Sequence, residues 1–174
     1  DYISYGGCGL PYYIGSIVKE LNDLMTTSWD AVRTPEFMKA TKDMNTLLGW
    51  EATKIDRDKK VVEVRNVKTG EEKALPYDKV VIATGSSNSK PPITNIDAKG
   101  VFGVKTPVDG VEIQNYLKGG VGAAVVIGAG LIGWKLLSFA NWGIDVTVIE
   151  MMDQIFPKMI DKDMSIVVQD YLEK

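Results

Sequence analysis

Histidine is absent from this 174-residue chain, and cysteine occurs only once. Without histidine the chain can build neither a Ser-His-Asp triad nor a histidine-ligated metal site from its own residues. One cysteine excludes an internal disulfide, and it leaves zinc without the sulfur ligands it ordinarily takes, so no metal is expected. A lone cysteine sets a reducing compartment, the cytoplasm, as the expectation. No apolar run approaches the ~20 residues that cross a bilayer, so no membrane partner is expected. An excess of positive charge is missing too. The net charge of −3 offers no basic surface to neutralise phosphates, which argues against nucleic acid as a partner.

What is present suits an ordinary folded interior: 45% hydrophobic and 25% charged residues. The length allows one large domain or two small ones at ~100–200 residues each. After Pro11 a short helix is expected within residues 10–25. Thr34-Pro35-Glu36 marks a second helix start, with a capping threonine, a proline suited to the first turn and an acid at the positive end, running to about Lys42. Trp50–Ile55, the alternating Val61–Arg65 and Glu72–Leu75 read as an antiparallel meander with turns at Asp56–Lys59 and Lys68–Glu71. Lys79–Gly85 is a continuous apolar run ending in small residues, the texture of a strand buried on both faces. Ser86–Pro92 reads as a loop, and residues 107–118 as a helix ending at Gly119-Gly120.

The last third carries the most legible motif. Ala123–Ile127 is a predicted buried strand, Gly128-Ala129-Gly130-Leu131-Ile132-Gly133 a glycine turn, residues 131–142 a helix, and Asp145–Ile149 a second buried strand ending at Glu150. A further helix is expected from Asp161. Strand, glycine turn, helix, strand and acid together mark a right-handed βαβ unit that binds a dinucleotide. Gly128 permits the tight turn, Gly130 lets the backbone approach a pyrophosphate, and Gly133 lets the helix pack closely. Amide groups at the helix start face the phosphates, and Glu150 can accept hydrogen bonds from the adenine ribose. Met151 and Met152 follow it with no arginine nearby to hold a 2′-phosphate, so NADH is expected over NADPH.

The single cysteine sits in Ser4-Tyr5-Gly6-Gly7-Cys8-Gly9-Leu10-Pro11. Two readings stand side by side. Free cysteine is often a small buried hydrophobe. Alternatively, Gly6, Gly7 and Gly9 leave the backbone uncovered for a flat ligand, and bare amides favour a thiolate.

Cys8 in this setting, Thr34-Pro35-Glu36-Phe37, Ile55-Asp56, Tyr77-Asp78-Lys79, Ala83-Thr84-Gly85, the glycine turn and Asp153-Gln154-Ile155 with Pro157 occur in an order that resembles the flavin-dependent pyridine nucleotide–disulfide oxidoreductases. The pattern is most similar to their single-cysteine subgroup of coenzyme A-disulfide reductases, NADH oxidases and NADH peroxidases. The resemblance implies an α/β fold with an incomplete two-domain, Rossmann-like FAD- and NAD-binding architecture and a small antiparallel meander. Residues 1–105 would belong to the FAD domain and 106–174 would begin the NAD domain. It further implies that Cys8 works beside the flavin, with FAD and NADH as cofactors. Ser4 and Lys42 would hold coenzyme A. Ala83, Thr84 and Gly85 would lie against FAD and Ala52 near its adenine, while Gly128, Ala129, Gly130, Leu131, Ile132, Gly133 and Glu150 would bind NADH.

Electrons would then pass from NADH through flavin to Cys8 and a coenzyme A disulfide or persulfide. The alternative is oxygen or peroxide as acceptor, with Cys8 cycling through a sulfenic acid. The family's first FAD-binding unit would precede Asp1, and its dimer-forming segments would follow Lys174. The chain therefore reads as an internal fragment of a homodimeric parent, and as an inactive nucleotide-binding piece when alone. Where the family usually has a glutamate two residues after the third glycine, this sequence has Lys135.

Overall fold

Proline in the first turn opens three helices: α1 (Leu10–Ile14), α2 (Pro35–Lys42) and α3 (Pro107–Lys118). Thr34 caps α2, its Oγ1 accepting from the Phe37 amide at 3.1 Å. Thr106 caps α3 reciprocally: its hydroxyl accepts from the Asp109 amide, and the Asp109 carboxylate accepts from the Thr106 amide at 2.7 Å. Such boxes satisfy amides that a helix start otherwise leaves unpaired. The structure is a computed structural model and describes residues 2–173.

The meander forms as the alternation predicts. Strands β1 (Trp50–Asp56), β2 (Val61–Asn66) and β3 (Glu72–Pro76) pair antiparallel in sequence order. Trp50 lies opposite Asn66, and Val61 opposite Pro76, with a register irregularity between Ala52 and Lys54. Strands β4 (Ala123–Ile127) and β5 (Asp145–Ile149) pair parallel, Ala123 opposite Asp145 and Ile127 opposite Ile149. Between them, α4 (Leu131–Lys135) tightens into a 3₁₀ helix over Leu136–Trp142, so the predicted helix over 131–142 exists but changes pitch midway. Helix α5 (Lys162–Leu172) follows.

By contact the chain divides into two units that interleave along the sequence. One joins the residues up to Tyr5 with Thr26–Ser87; the other joins Gly6–Met25 with the residues from Asn88 onward. The second unit holds the main core. Leu10 and Ile14 of α1 pack with Leu24, Ile113 and Leu117 of α3, Val126 of β4, and Leu136 and Phe139 of the 3₁₀ segment.

Two expectations need correction. Lys79–Gly85 is not a strand, and its side chains are exposed, with Val81 at 86% and Ile82 at 72%. An apolar run becomes a strand only where another strand takes its amides and carbonyls, and no described strand lies beside this one. Nor are β4 and β5 buried throughout. Val126 is covered, while Val125, Ile127 and Ile149 are exposed.

The contact between α1 and the 3₁₀ segment is tight at Gly15. A β-carbon there would lie 2.1 Å from Ser138 Oγ and 2.8 Å from the Ser138 carbonyl oxygen. Overpacking of this kind costs about 1–3 kcal/mol. Gly15→Ala is expected to destabilise the chain by that amount, read as a lower urea midpoint with an unchanged slope.

Candidate functional site

Backbone hydrogen bonds tie the glycine turn down. The Gly128 amide donates to the Ile149 carbonyl at 2.7 Å, and the Phe156 amide donates to the Ala129 carbonyl at 3.0 Å. Gly128 has φ +103°, a conformation that glycine adopts without strain. Gly133 is required for a different reason: a β-carbon there would lie 1.9 Å from the Gly128 carbonyl oxygen. At Gly130 a β-carbon would meet nothing within 4 Å. The first glycine makes the bend, the third lets the helix close on it, and the middle one faces open space.

Glu150 completes the turn. Its Oε2 accepts from the Ala129 amide at 2.8 Å and its Oε1 from the Met152 amide at 3.0 Å. These bonds, the Met152 amide first and Ala129 next, hold the carboxyl below its ordinary pKa of 4.5. The expectation placed Glu150 toward a ribose; its carboxylate also fastens the glycine turn. Each carboxylate oxygen has a second lone pair, so both tasks are compatible. A groove of about 310 Å³ lies alongside, its lining including Ala129, Val148, Glu150, Met152 and Gln154.

Cys8 is exposed, which decides against the buried-hydrophobe reading. It lies in a 3₁₀ turn, Gly7–Gly9, that feeds directly into α1. The uncovered glycine backbone expected around it is only partly there. Gly6 and Gly7 are exposed, but a β-carbon on Gly9 would lie 2.6 Å from Leu24 Cδ2. The Gly6 amide donates to Leu24 and the Gly9 amide to Gly6, so neither is bare toward a thiolate. Lys135 was foreseen only as a departure from a family pattern. Its Nζ donates to the Cys8 carbonyl at 3.3 Å and lies 5.4 Å from the Tyr12 ring centroid.

Cys8, Gly128, Ala129, Gly130, Leu131, Ile132, Gly133 and Glu150 thus belong to one unit. Ser4, Lys42, Ala52, Ala83, Thr84 and Gly85 belong to the other. Ser4 is half-buried, and Lys42 is exposed in the last turn of α2. Ala52 is exposed at the β1 irregularity. Ala83, Thr84 and Gly85 are exposed, and Gly85 has φ +75° with open space where a β-carbon would stand. Among the described residues no helix is long and apolar enough to cross a membrane, and no group of metal-ligating side chains gathers.

A parallel βαβ unit with a glycine turn locked by the acid of its second strand defines a dinucleotide-binding fold. The family model described as pyridine nucleotide-disulphide oxidoreductase matches residues 1–174, and the chain belongs to that family. It is 38% identical to an NADH oxidase of Methanocaldococcus jannaschii over 99% of its own length and 37% of that protein. It is 30% identical to a coenzyme A disulfide reductase of Staphylococcus haemolyticus, covering 98% of this chain and 37% of the relative. Among solved structures, a NAD-dependent persulfide reductase from A. fulgidus superposes with a TM-score of 0.90 at 41% identity, covering 99% of this chain and 32% of that one. The chain therefore spans about a third of the length of these relatives.

The Glu150 hydrogen bonds make a pH-dependent contribution to stability. A lowered carboxyl pKa stabilises the fold above the ordinary value of 4.5, and the gain is lost as pH falls through the lowered folded value. Glu150→Gln is expected to unfold at lower urea than the parent chain at pH 7. That gap should narrow as the pH is taken below 4.5 and close as it passes through the lowered folded value, where the parent carboxylate is protonated too.

Proposed function

We propose that this chain is part of an FAD-dependent oxidoreductase that draws electrons from NADH and delivers them through Cys8 to a coenzyme A disulfide or persulfide. In this reading residues 1–105 contribute to the FAD domain and 106–174 open the NAD domain. The observation that carries it is the pairing, within one unit, of an exposed sole cysteine at the head of α1 with a glycine turn fastened by Glu150.

The residues fit the two cofactors in what they leave open. Gly128–Gly133 would hold the NADH pyrophosphate against the open face of Gly130, with Glu150 accepting from the ribose hydroxyls. NADPH is disfavoured because Glu150 would face the extra phosphate with like charge, and no arginine occurs after Arg65. Ala83, Thr84 and Gly85 form an uncovered segment that would lie against FAD, with Ala52 toward its adenine. When bound, flavin supplies the conversion of a hydride into an electron pair that sulfur can accept.

Cys8 is the residue that meets the acceptor. As a thiolate it attacks one sulfur of the substrate disulfide, forming a mixed disulfide, and the other sulfur leaves with the displaced electron pair and takes up a proton. Two electrons and a proton then reduce the mixed disulfide, freeing the second thiol and restoring the Cys8 thiolate. Ser4 and Lys42 would hold the coenzyme A portion, the lysine as a cation for its phosphates.

One observation favours a second reading. The relative from M. jannaschii is named an NADH oxidase, and with peroxide as acceptor Cys8 would be oxidised to a sulfenic acid and reduced back. The two readings part on substrate. In the full-length protein carrying this chain, NADH consumption with coenzyme A disulfide is expected to exceed that with oxygen or peroxide, and Cys8→Ser is expected to abolish it. Consumption with oxygen or peroxide alone would sink the disulfide reading and leave the oxidase one.

The glycine turn offers an independent test. Gly130→Ala is expected to leave the unfolding midpoint unchanged, because its β-carbon meets no atom of the chain. NADH affinity should fall about tenfold or more, as a methyl group enters the phosphate's place. Isothermal titration measures the second effect and thermal unfolding the first.

A further inference from the structure

The segment that leaves the glycine turn is fastened to the cysteine helix by a row of side-chain hydrogen bonds. Lys135 Nζ donates to the Cys8 carbonyl at 3.3 Å, and Ser138 Oγ to the Pro11 carbonyl at 3.1 Å. Asn141 Nδ2 donates to the Gly15 carbonyl at 3.1 Å, and Trp142 Nε1 to the Ile14 carbonyl at 2.9 Å. Lys135, Ser138 and Asn141 recur every third residue. In an α-helix that spacing drifts by about 60° per step, which would swing Asn141 well away from the line of Lys135. In a 3₁₀ helix residues three apart eclipse one another. The change of pitch at Leu136 is therefore what keeps these donors on one face toward α1.

A 3₁₀ stretch inside a helix marks a place that can change its winding. Here it lies directly behind the nucleotide turn. Gly133 is pressed against the Gly128 carbonyl, so α4 cannot shift independently of the glycine turn, and Lys135 stands two residues further on. The Lys135 bond is the longest and the most exposed of the row, and it ends on the carbonyl of the one cysteine.

We propose that Lys135 is a positioning residue that holds the Cys8 turn to the nucleotide helix, so that a dinucleotide in the glycine turn alters the reactivity of the Cys8 thiol. The proposal rests on the reading of Gly128–Gly133 as an NADH site. Binding at the turn biases α4 and the winding behind it, and the ammonium on the Cys8 carbonyl carries that bias to the cysteine. Coupling of this kind between two sites amounts to a factor of about five or more in the property of the second.

The test follows the sole thiol with a neutral aromatic disulfide, dipyridyl disulfide, whose thiopyridone product is coloured. Cys8 attacks one sulfur, the mixed disulfide forms, and the other sulfur leaves as the thione with the thiol's proton. Rates are measured without NADH and at saturating NADH, with binding followed separately by NADH fluorescence in each variant. For the parent chain, NADH is expected to change the rate about fivefold. Lys135→Met is expected to bind NADH yet lose that change, and Lys135→Arg, which retains a cation able to reach the carbonyl, is expected to restore it. Where Lys135→Met does not fold, Lys135→Gln, too short to reach, replaces it. If NADH binds but the rate is unchanged, or the change persists in Lys135→Met, the coupling is refuted while the nucleotide site stands. Failure of the parent chain to bind NADH overturns both.

Discussion

A helix of five residues cannot satisfy its own carbonyls. The last four C=O groups of any helix lack partners within it, and α1 is barely longer than that. Leu10 and Ile14 nevertheless sit at the centre of the core, where an unpaired carbonyl would be costly. The following turn answers part of this, the Gly15, Ser16 and Ile17 amides donating to Pro11, Tyr13 and Tyr12, and side chains complete it: Ser138, Asn141 and Trp142 donate to carbonyls of Pro11, Gly15 and Ile14, and Gln114 of α3 donates to Tyr13 at 3.1 Å. Much else depends on this arrangement. It explains the pitch change after α4, the close approach at Gly15, and the choice of polar residues on a segment whose other face carries buried Leu136 and Phe139.

The glycine turn obeys a similar economy of backbone groups. Its amides and carbonyls are taken by Ile149, Phe156 and the Glu150 carboxylate, leaving the Gly130 side open. One acidic side chain thereby shapes the turn and offers lone pairs outward. In the proposed role Glu150 would serve recognition as well as folding, so its loss could not be assigned to binding alone. That is why the Gly130 position, where an added β-carbon would meet no other part of the chain, separates the two roles more cleanly than Glu150 does.

Sequence made much of this legible where the signal is local. Thr-Pro pairs fix two helix starts because capping and the proline ring act within a few residues. The meander follows from alternation and turn residues, and the βαβ unit from its glycines. Lys79–Gly85 failed because a continuous apolar run states only that cover is needed, not whether the described residues supply it. The 3₁₀ segment was illegible for a related reason: Ser138, Asn141 and Trp142 have no periodicity that signals pitch until α1 stands opposite them. Gly9 misled in the other direction. A glycine beside a cysteine reads as open backbone, yet its missing side chain makes room for Leu24.

The two readings of Cys8 can now be weighed on structure alone. A structural cysteine hides its sulfur; here it is the backbone that is held while the residue is exposed. On either side the Gly6 and Gly9 amides are engaged, the Leu10 amide donates back to Gly7, and Lys135 takes the Cys8 carbonyl from across the unit. That combination suits the role proposed for Cys8, in which exposure would give access and a fixed backbone would hold the sulfur within the ångström on which rate depends. The Lys135 bond ties the Cys8 backbone to α4, the helix that follows the glycine turn, as well as to its own helix α1.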